Sequence, residues 1–193
     1  MSETQLIQKM ISRESMVNSY KMRMGTLEDQ DWKKIAESSV KISELSFNVS
    51  TKMRTIQNIE VLAKKLKNKD KLDLMIIDYI QLLKSQGKYN VREQEVAEIS
   101  RRLKLLSLEL DIPIIALCQL NRNASAGEPT MADLRESGSL EQDADNIIFI
   151  YKESENEDDN ITTLKLAKQR AGEIGKVKVK FNKATSNFIN LVR

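Results

Sequence analysis

Two apolar runs of strand length, residues 72–77 and 113–117, flank a segment, residues 92–110, in which Val96, Ile99, Leu103, Leu106 and Leu110 recur at helical spacing. This order constrains the fold more than any other feature of the chain. Two buried strands joined by a helix cannot form a hairpin, so the pair must be parallel with a right-handed crossover. The chain is therefore read as α/β. Residues 145–151 supply a third apolar strand. Beyond it the pattern changes: residues 161–167 and 176–181 alternate, with Val177, Val179 and Phe181 on one face and Lys176, Lys178 and Lys180 on the other. Such alternation belongs to half-exposed antiparallel strands. The acidic run Glu153, Glu155, Glu157, Asp158 and Asp159 then reads as a solvated hairpin loop.

Ahead of this core, residues 1–70 form a helical lead-in. Leu6, Ile7, Met10 and Ile11 recur at helical spacing, as do Trp32, Ile35, Ala36, Ser39 and Val40 after the acid-rich start Glu28 to Asp31. A short strand is expected at Phe47 to Val49, and another helix over residues 55–68. These helices need do no more than cover a sheet.

Composition excludes several kinds of chemistry. The 193 residues contain no histidine, which removes the commonest neutral-pH acid/base and the commonest metal ligand together. Hydrolysis would have to use carboxylates, Lys, Arg or Gln, which favours phosphoryl over acyl transfer. One cysteine, Cys118, excludes an internal disulfide. No apolar stretch approaches the roughly 20 residues of a membrane span, and residues 1–15 lack a signal-peptide core, so a cytoplasmic protein is expected. The net charge of +3 is weak evidence of a polyanionic partner, so a nucleic-acid surface would have to be local.

The strand of residues 72–77 ends in Asp78, and the chain then resumes its apolar character with Tyr79 and Ile80. A carboxylate buried there would cost several kcal/mol, by rough transfer estimates, unless something paired with it. In doubly wound sheets ligands gather at the carboxyl ends of the strands. Asp78 ends one strand and Gln119 follows the next, which would bring an acid and an amide together over one crevice. Nucleotide hydrolases hold Mg²⁺ with such an acid and orient water with such a Gln. A turn cap and a backbone-binding amide serve equally well as readings of each residue alone. In residues 130–145, TMADLRESGSLEQDAD, Thr130 and Asp133 form a capping-box pattern, and Arg135 beside the Ser137-Gly138-Ser139 turn suits phosphate contact. The same Arg135 could simply pair with Glu136 or Glu141. Lys168 and Arg170 share a strand-end face in LKLAKQRAGEIGK, where paired cations can serve phosphate charge or only solvent.

Taken in order, IIDYIQLL, REQEVAEISRRLKLLSLELDIPIIALCQLNR, DLRESGSLEQDAD and AKQRAG resemble the C-terminal ATPase domain of DnaB-type replicative DNA helicases. MSETQLIQKMIS followed by Asp31-Trp32 and a helix is similar to the segment after that family's first catalytic motif. The resemblance implies a partial RecA-like fold over residues 1–193: a mostly parallel sheet flanked by helices, with antiparallel strands at the C-terminal end and the sheet core in residues 71–193. It implies ATP and Mg²⁺ as cofactors, a homo-oligomeric ring, usually a hexamer, around single-stranded DNA, and primase and a helicase loader as partners. By the same resemblance Asp78 is the Walker B acid acting on Mg²⁺ through water, and Gln119 senses the γ-phosphate. Lys168 and Arg170 would reach a neighbour's nucleotide, while Arg135, Glu136 and Gly138 would meet the DNA backbone.

The chain departs from the family in one respect. A phosphate-binding loop needs G-x-x-x-x-G-K-[ST], and the six glycines, at 25, 87, 127, 138, 172 and 175, provide none. In the family that loop and a catalytic glutamate precede the position matching Met1, so the expectation is the latter part of an ATPase domain. Two function classes are open: an ATP-driven helicase represented by this part of its motor, and a non-enzymatic DnaB-like subunit that joins or modulates a ring. A RecA-type recombinase shares the strand-end acid but would not carry DLRESGSLEQDAD and AKQR in this arrangement.

Overall fold

In the computed structural model the described residues are 1–120, 127–153 and 160–191, the side chains of residues 135–137 excepted. The chain divides into two compact units, one of Met1–Thr51, Lys152–Leu164 and Val177–Arg193, the other of Lys52–Tyr151 and Lys165–Lys176.

The first unit contains α1 (Glu3–Ser15), α2 (Ser19–Met24) and α3 (Asp29–Ser43). Ser2 and Gln5 cap α1 reciprocally, and the acid-rich start of α3 caps itself through Glu28 and Asp31. Acids in the first turn also complement the helix dipole. α1 packs on α3, with a Lys41–Glu14 ion pair of 3.0 Å joining them at the surface. The six-residue α2, started by the Asn18 side chain, escaped the periodicity because it is too short to carry a repeat. Phe47 to Val49 forms no strand; these residues are irregular, with Phe47 N–H bonded back to Leu45.

In the second unit, α4 (Ile56–Lys67) leads into β1 (Met75–Ile77), a short 3-10 helix (Ile80–Leu82), α5 (Arg92–Leu110) and β2 (Ile114–Ala116). β1 and β2 pair in parallel, Met75 opposite Ile114, Ile76 opposite Ile115 and Ile77 opposite Ala116. Strand, helix and strand thus meet as the crossover pattern requires. The inner stripe of α5, including Val96, Ile99 and Leu103, buries with Ile56, Ile77, Ile80 and Leu83. Farther along, Leu106 and Leu110 bury with Ala63 and Ile112. Both strands are shorter than the apolar runs that announce them. The Asp78–Tyr79 peptide is cis.

After a 3-10 segment (Met131–Ser137) and α6 (Gly138–Asp143), the third apolar run becomes β3 (Asn146–Tyr151). It does not join the β1–β2 pair. It heads a separate four-stranded sheet in the order β3, β4 (Ile161–Gln169), β5 (Gly175–Asn182), β6 (Asn187–Asn190). β6, which the alternation did not announce, pairs antiparallel with β5, and Phe181 meets Phe188 with ring centroids 4.8 Å apart. The expected inner face of β5 holds at Val179, which is buried, and at half-buried Phe181, but Val177 is exposed. Of the acidic run, Glu153 pairs with Lys178 at 2.5 Å, and Glu155, Glu157, Asp158 and Asp159 lie outside the described residues.

Candidate functional site

The carboxyl ends of β1 and β2 form the first half of the site. Beyond the last paired residues, Leu117 N–H donates to the Ile77 carbonyl at 2.9 Å, and Ile80 N–H donates to the Leu117 carbonyl at 2.9 Å. The chain after Asp78 therefore stays bound to the chain before Gln119. Asp78 and Gln119 are both exposed. The expected burial of Asp78 is wrong: the apolar residues around it, Ile77 and Ile80, turn inward, and the carboxylate projects to solvent with no hydrogen-bond or ion-pair partner among the described residues. Its environment imposes no desolvation problem, and its oxygens remain available.

One face of this sheet is apolar and uncovered. Leu74, Ile76, Ile115 and Leu117 are exposed, and the register Ile76 opposite Ile115 puts them on one side by the period of two. The same alternation leads on to Asp78 and Gln119. Parallel strands are ordinarily buried on both faces.

Gln81, which the sequence reading passed over, holds the Gln119 backbone. Its Nε2 donates to the Gln119 carbonyl at 2.9 Å, and its Oε1 accepts from Gln119 N–H at 3.3 Å. The first turn of α5 braces this loop in turn. Arg92 Nη2 donates to the carbonyls of Gln81 and Leu83, both at 2.8 Å, while Glu95 accepts from Ser85 N–H at 2.8 Å and pairs with Arg92. Burial pushes the Glu95 carboxyl up, but the Ser85 N–H and Arg92 together outweigh it and hold the group below its ordinary value.

The second half of the site lies along the 138–145 segment. Lys168 Nζ donates to the Glu141 carbonyl at 2.6 Å, and Arg170 Nη1 binds Asp145 Oδ1 at 3.1 Å. The two cations expected at a strand end thus rest on the segment that begins at Gly138, one of the candidate DNA residues. Asp145 also receives Lys104 Nζ at 2.6 Å, and Ser100 Oγ donates to Asp143 at 2.6 Å, so α5 braces this segment as well. Lys104 and then Arg170, both bonded to the Asp145 carboxyl, hold it below the usual range against a smaller opposing effect of burial. Helix α5 is the common strut of both halves.

The Thr130–Asp133 capping box forms as expected. Gly138 starts α6 with ordinary right-handed backbone angles, and a Cβ there would meet nothing within 4 Å. No internal contact of the described fold requires glycine at that position. The side chains of Arg135 and Glu136 lie outside the described residues. Glu128, at the root of the preceding loop, binds Lys165 at 2.7 Å and also Lys176, which together hold its carboxyl at about 2.

No group of three or more acidic, Cys or His side chains among the described residues could form an all-protein metal cage. A single exposed carboxylate fits the other mode, in which Mg²⁺ keeps most of its waters and is shared with nucleotide phosphates. No helix among the described residues is long and apolar enough to cross a membrane.

The family model of the DnaB-like helicase C-terminal domain matches residues 1–190. The chain belongs to the DnaB-like helicase family. The replicative DNA helicase DnaB of Geobacillus stearothermophilus is 38% identical over 202 residues, covering all of this chain and 44% of that protein. The corresponding helicase of Buchnera aphidicola subsp. Baizongia pistaciae is 40% identical over 205 residues, covering 98% of this chain and 43% of its own. This chain therefore spans less than half the length of these curated relatives. Among solved structures, a DnaB-like replicative helicase described with its interactions with primase superposes with a TM-score of 0.90 at 33% identity, covering the whole chain and 49% of its own. A second solved structure, described as an ATPase domain, superposes with a TM-score of 0.91 at 33% identity, covering the whole chain and 72% of its own. The RecA-like α/β reading and the DnaB-like resemblance both hold.

Proposed function

We propose that this chain supplies the latter part of the motor of a ring-shaped, hexameric helicase that unwinds DNA at the replication fork with ATP and Mg²⁺. The observation that carries the reading is the end of the β1–β2 pair, where backbone rungs bring Asp78, a carboxylate without a partner among the described residues, and the amide Gln119 to the same edge. Family membership supports the assignment of roles. Asp78 would hold Mg²⁺ through its water shell, and the metal would supply positive charge to offset that of the transferring phosphoryl group. Gln119 is placed to respond to the γ-phosphate and to transmit its presence to residues 121–126, which lie outside the described residues. Lys168 and Arg170 stabilise phosphate charge in a neighbouring subunit, and Arg135, Glu136 and Gly138 contact the backbone of single-stranded DNA. The absence of any internal need for glycine at 138 supports close approach of a ligand there.

The uncovered apolar face that runs up to Asp78 and Gln119 fits one occupant, the helicase segment that carries the phosphate-binding loop. Covering this face would bring that loop over the acid. Primase, a helicase loader and a cytoplasmic setting follow from the same reading. A second reading is a non-enzymatic DnaB-like subunit that lends its cations to a complete neighbour.

The purified chain is expected not to turn over ATP at a helicase-like rate, with or without single-stranded DNA, because most phosphate contacts come from the loop it does not contain. DNA-stimulated turnover by the chain alone, abolished in Asp78→Asn, would overturn this.

A further inference from the structure

Between Asp78 and Gln119 the ordinary strand pairing has stopped. The rungs at Ile77, Leu117 and Ile80 use backbone groups, but the chain after Asp78 then coils into the 3-10 helix of residues 80–82 and offers Gln119 no extended partner. The Gln81 side chain takes that place. A carboxamide carries a donor and an acceptor side by side, like a peptide group. Its Oε1 takes the Gln119 N–H at 3.3 Å and its Nε2 gives to the Gln119 carbonyl at 2.9 Å, with Cys118 Sγ a further 3.0 Å contact. We propose that Gln81 is a positioning residue for Gln119, supplying the final rung of the β1–β2 pair and setting the strand-end amide against the strand-end acid.

The support beneath Gln81 is firm. Ile80 and Leu83 are buried on either side, and Arg92 fixes the carbonyls of Gln81 and Leu83. The rung therefore ties Gln119 to the loop that starts at Asp78, across residues far apart in sequence. Only an amide of this length makes both bonds. A glutamate in its place would keep an acceptor but present no donor to the Gln119 carbonyl, and a methionine would keep the volume and lose both. The proposal rests on the reading of Gln119 as the γ-phosphate-responsive residue, so its test has two arms.

In the first arm, amide hydrogen exchange is measured on the 193-residue chain. Gln81→Met is expected to accelerate exchange at Gln119 about fivefold, the change that follows from losing one typical hydrogen bond of about 1 kcal/mol. Amides in the middle of α5 serve as the control for global unfolding. Unchanged protection at Gln119 overturns the proposal. In the second arm, the chain replaces the matching segment of an active ring helicase, and DNA-stimulated ATP turnover is compared for Gln81→Met, Gln81→Glu, Gln119→Ala and the double variant Gln81→Met with Gln119→Ala. Both Gln81 variants should lower kcat about tenfold or more with little change in KM for ATP, since misplacement by an ångström can cost up to about 10² in rate. The double variant should be no slower than Gln119→Ala alone; losses that multiply mean that Gln81 acts elsewhere, and overturn the proposal. If Gln119→Ala leaves turnover intact, the reading of Gln119 falls, while exchange still decides whether Gln81 holds its backbone.

Discussion

The acid-and-amide end of the sheet and the cationic end of β4 differ in how their functional groups are held. Asp78 and Gln119 stand on backbone hydrogen bonds, a side-chain amide and a dry core in which Ile80 is 1% exposed. The Arg170 backbone is anchored as well, its N–H donating to the Asp145 carbonyl at 2.9 Å, but its guanidinium is held by an ion pair with Asp145 in which the two side chains are 75% and 46% exposed. Exposed pairs of this kind are worth roughly 0 to 1 kcal/mol. The difference has a mechanical meaning: the first half keeps its geometry, while the Arg170 guanidinium can leave Asp145 at little cost. A finger that must reach a neighbour's phosphate needs the second kind of attachment.

The largest test of this contrast is Arg170. In a complete ring, Arg170→Ala should reduce ATP turnover by about 10³ to 10⁵, as arginine fingers do elsewhere. Subunits carrying Arg170→Ala should partly rescue subunits with a dead phosphate loop, because a mixed interface can pair an intact nucleotide site with an intact finger. Rings that demonstrably exchange subunits and recover no turnover would mean that Arg170 is not a finger or acts within its own chain, and the contrast would collapse.

Gln119 tests the rigid half. Removing one preorganised donor from a site of charge development costs roughly 10² to 10³ in kcat where measured in other enzymes. In the same ring, Gln119→Ala is expected to lose DNA stimulation by about 10² at the lower end of that range while nucleotide affinity changes little. Equal loss of turnover and nucleotide binding, read by steady-state kinetics beside equilibrium titration, would make Gln119 a structural amide.

The sequence made one of these halves easier to read than the other. The parallel pair followed from strand, amphipathic helix and strand, because a period of 3.6 between two buried runs leaves a single topology. Asp78 drew notice as a charge in an apolar run, yet its exposure was missed, since periodicity cannot tell where a short strand stops and the chain turns outward. Gln81 lay in the same ten residues. It is the second strongly polar side chain of LMIIDYIQLL, and that was the available signal. The partners of Arg170 and Lys168 were not legible, because Asp145 and the Glu141 carbonyl meet them only through the tertiary fold. The third apolar run was recognised as a strand, but its apolar pattern did not reveal that it pairs into the C-terminal sheet.

The smallest expected effect belongs to the Asp145 contact, and it sharpens the comparison most. Lys104 and Arg170 depress the folded-state pKa of Asp145 below its ordinary 3.8. A depressed carboxylate contributes stability that is fully present above the unfolded value and is lost as pH falls through the folded one. The contact should therefore be intact at neutral pH and weaken only below about pH 3.8. With Arg170 75%, Asp145 46% and Lys104 23% exposed, solvent screens much of this contact, and Asp145→Asn should cost about 1 kcal/mol. For a chain of this size that corresponds to roughly 2 to 4 °C in Tm. Raising ionic strength from about 0.1 to 1 M, which shortens the Debye length from about 10 to 3 Å, should shrink even that difference. Thermal melts of the wild-type chain and Asp145→Asn at both salt concentrations give the result directly. A loss several times larger, insensitive to salt, would mean that Asp145 locks Arg170 and Lys104 into the fold, and the finger could not be the movable half.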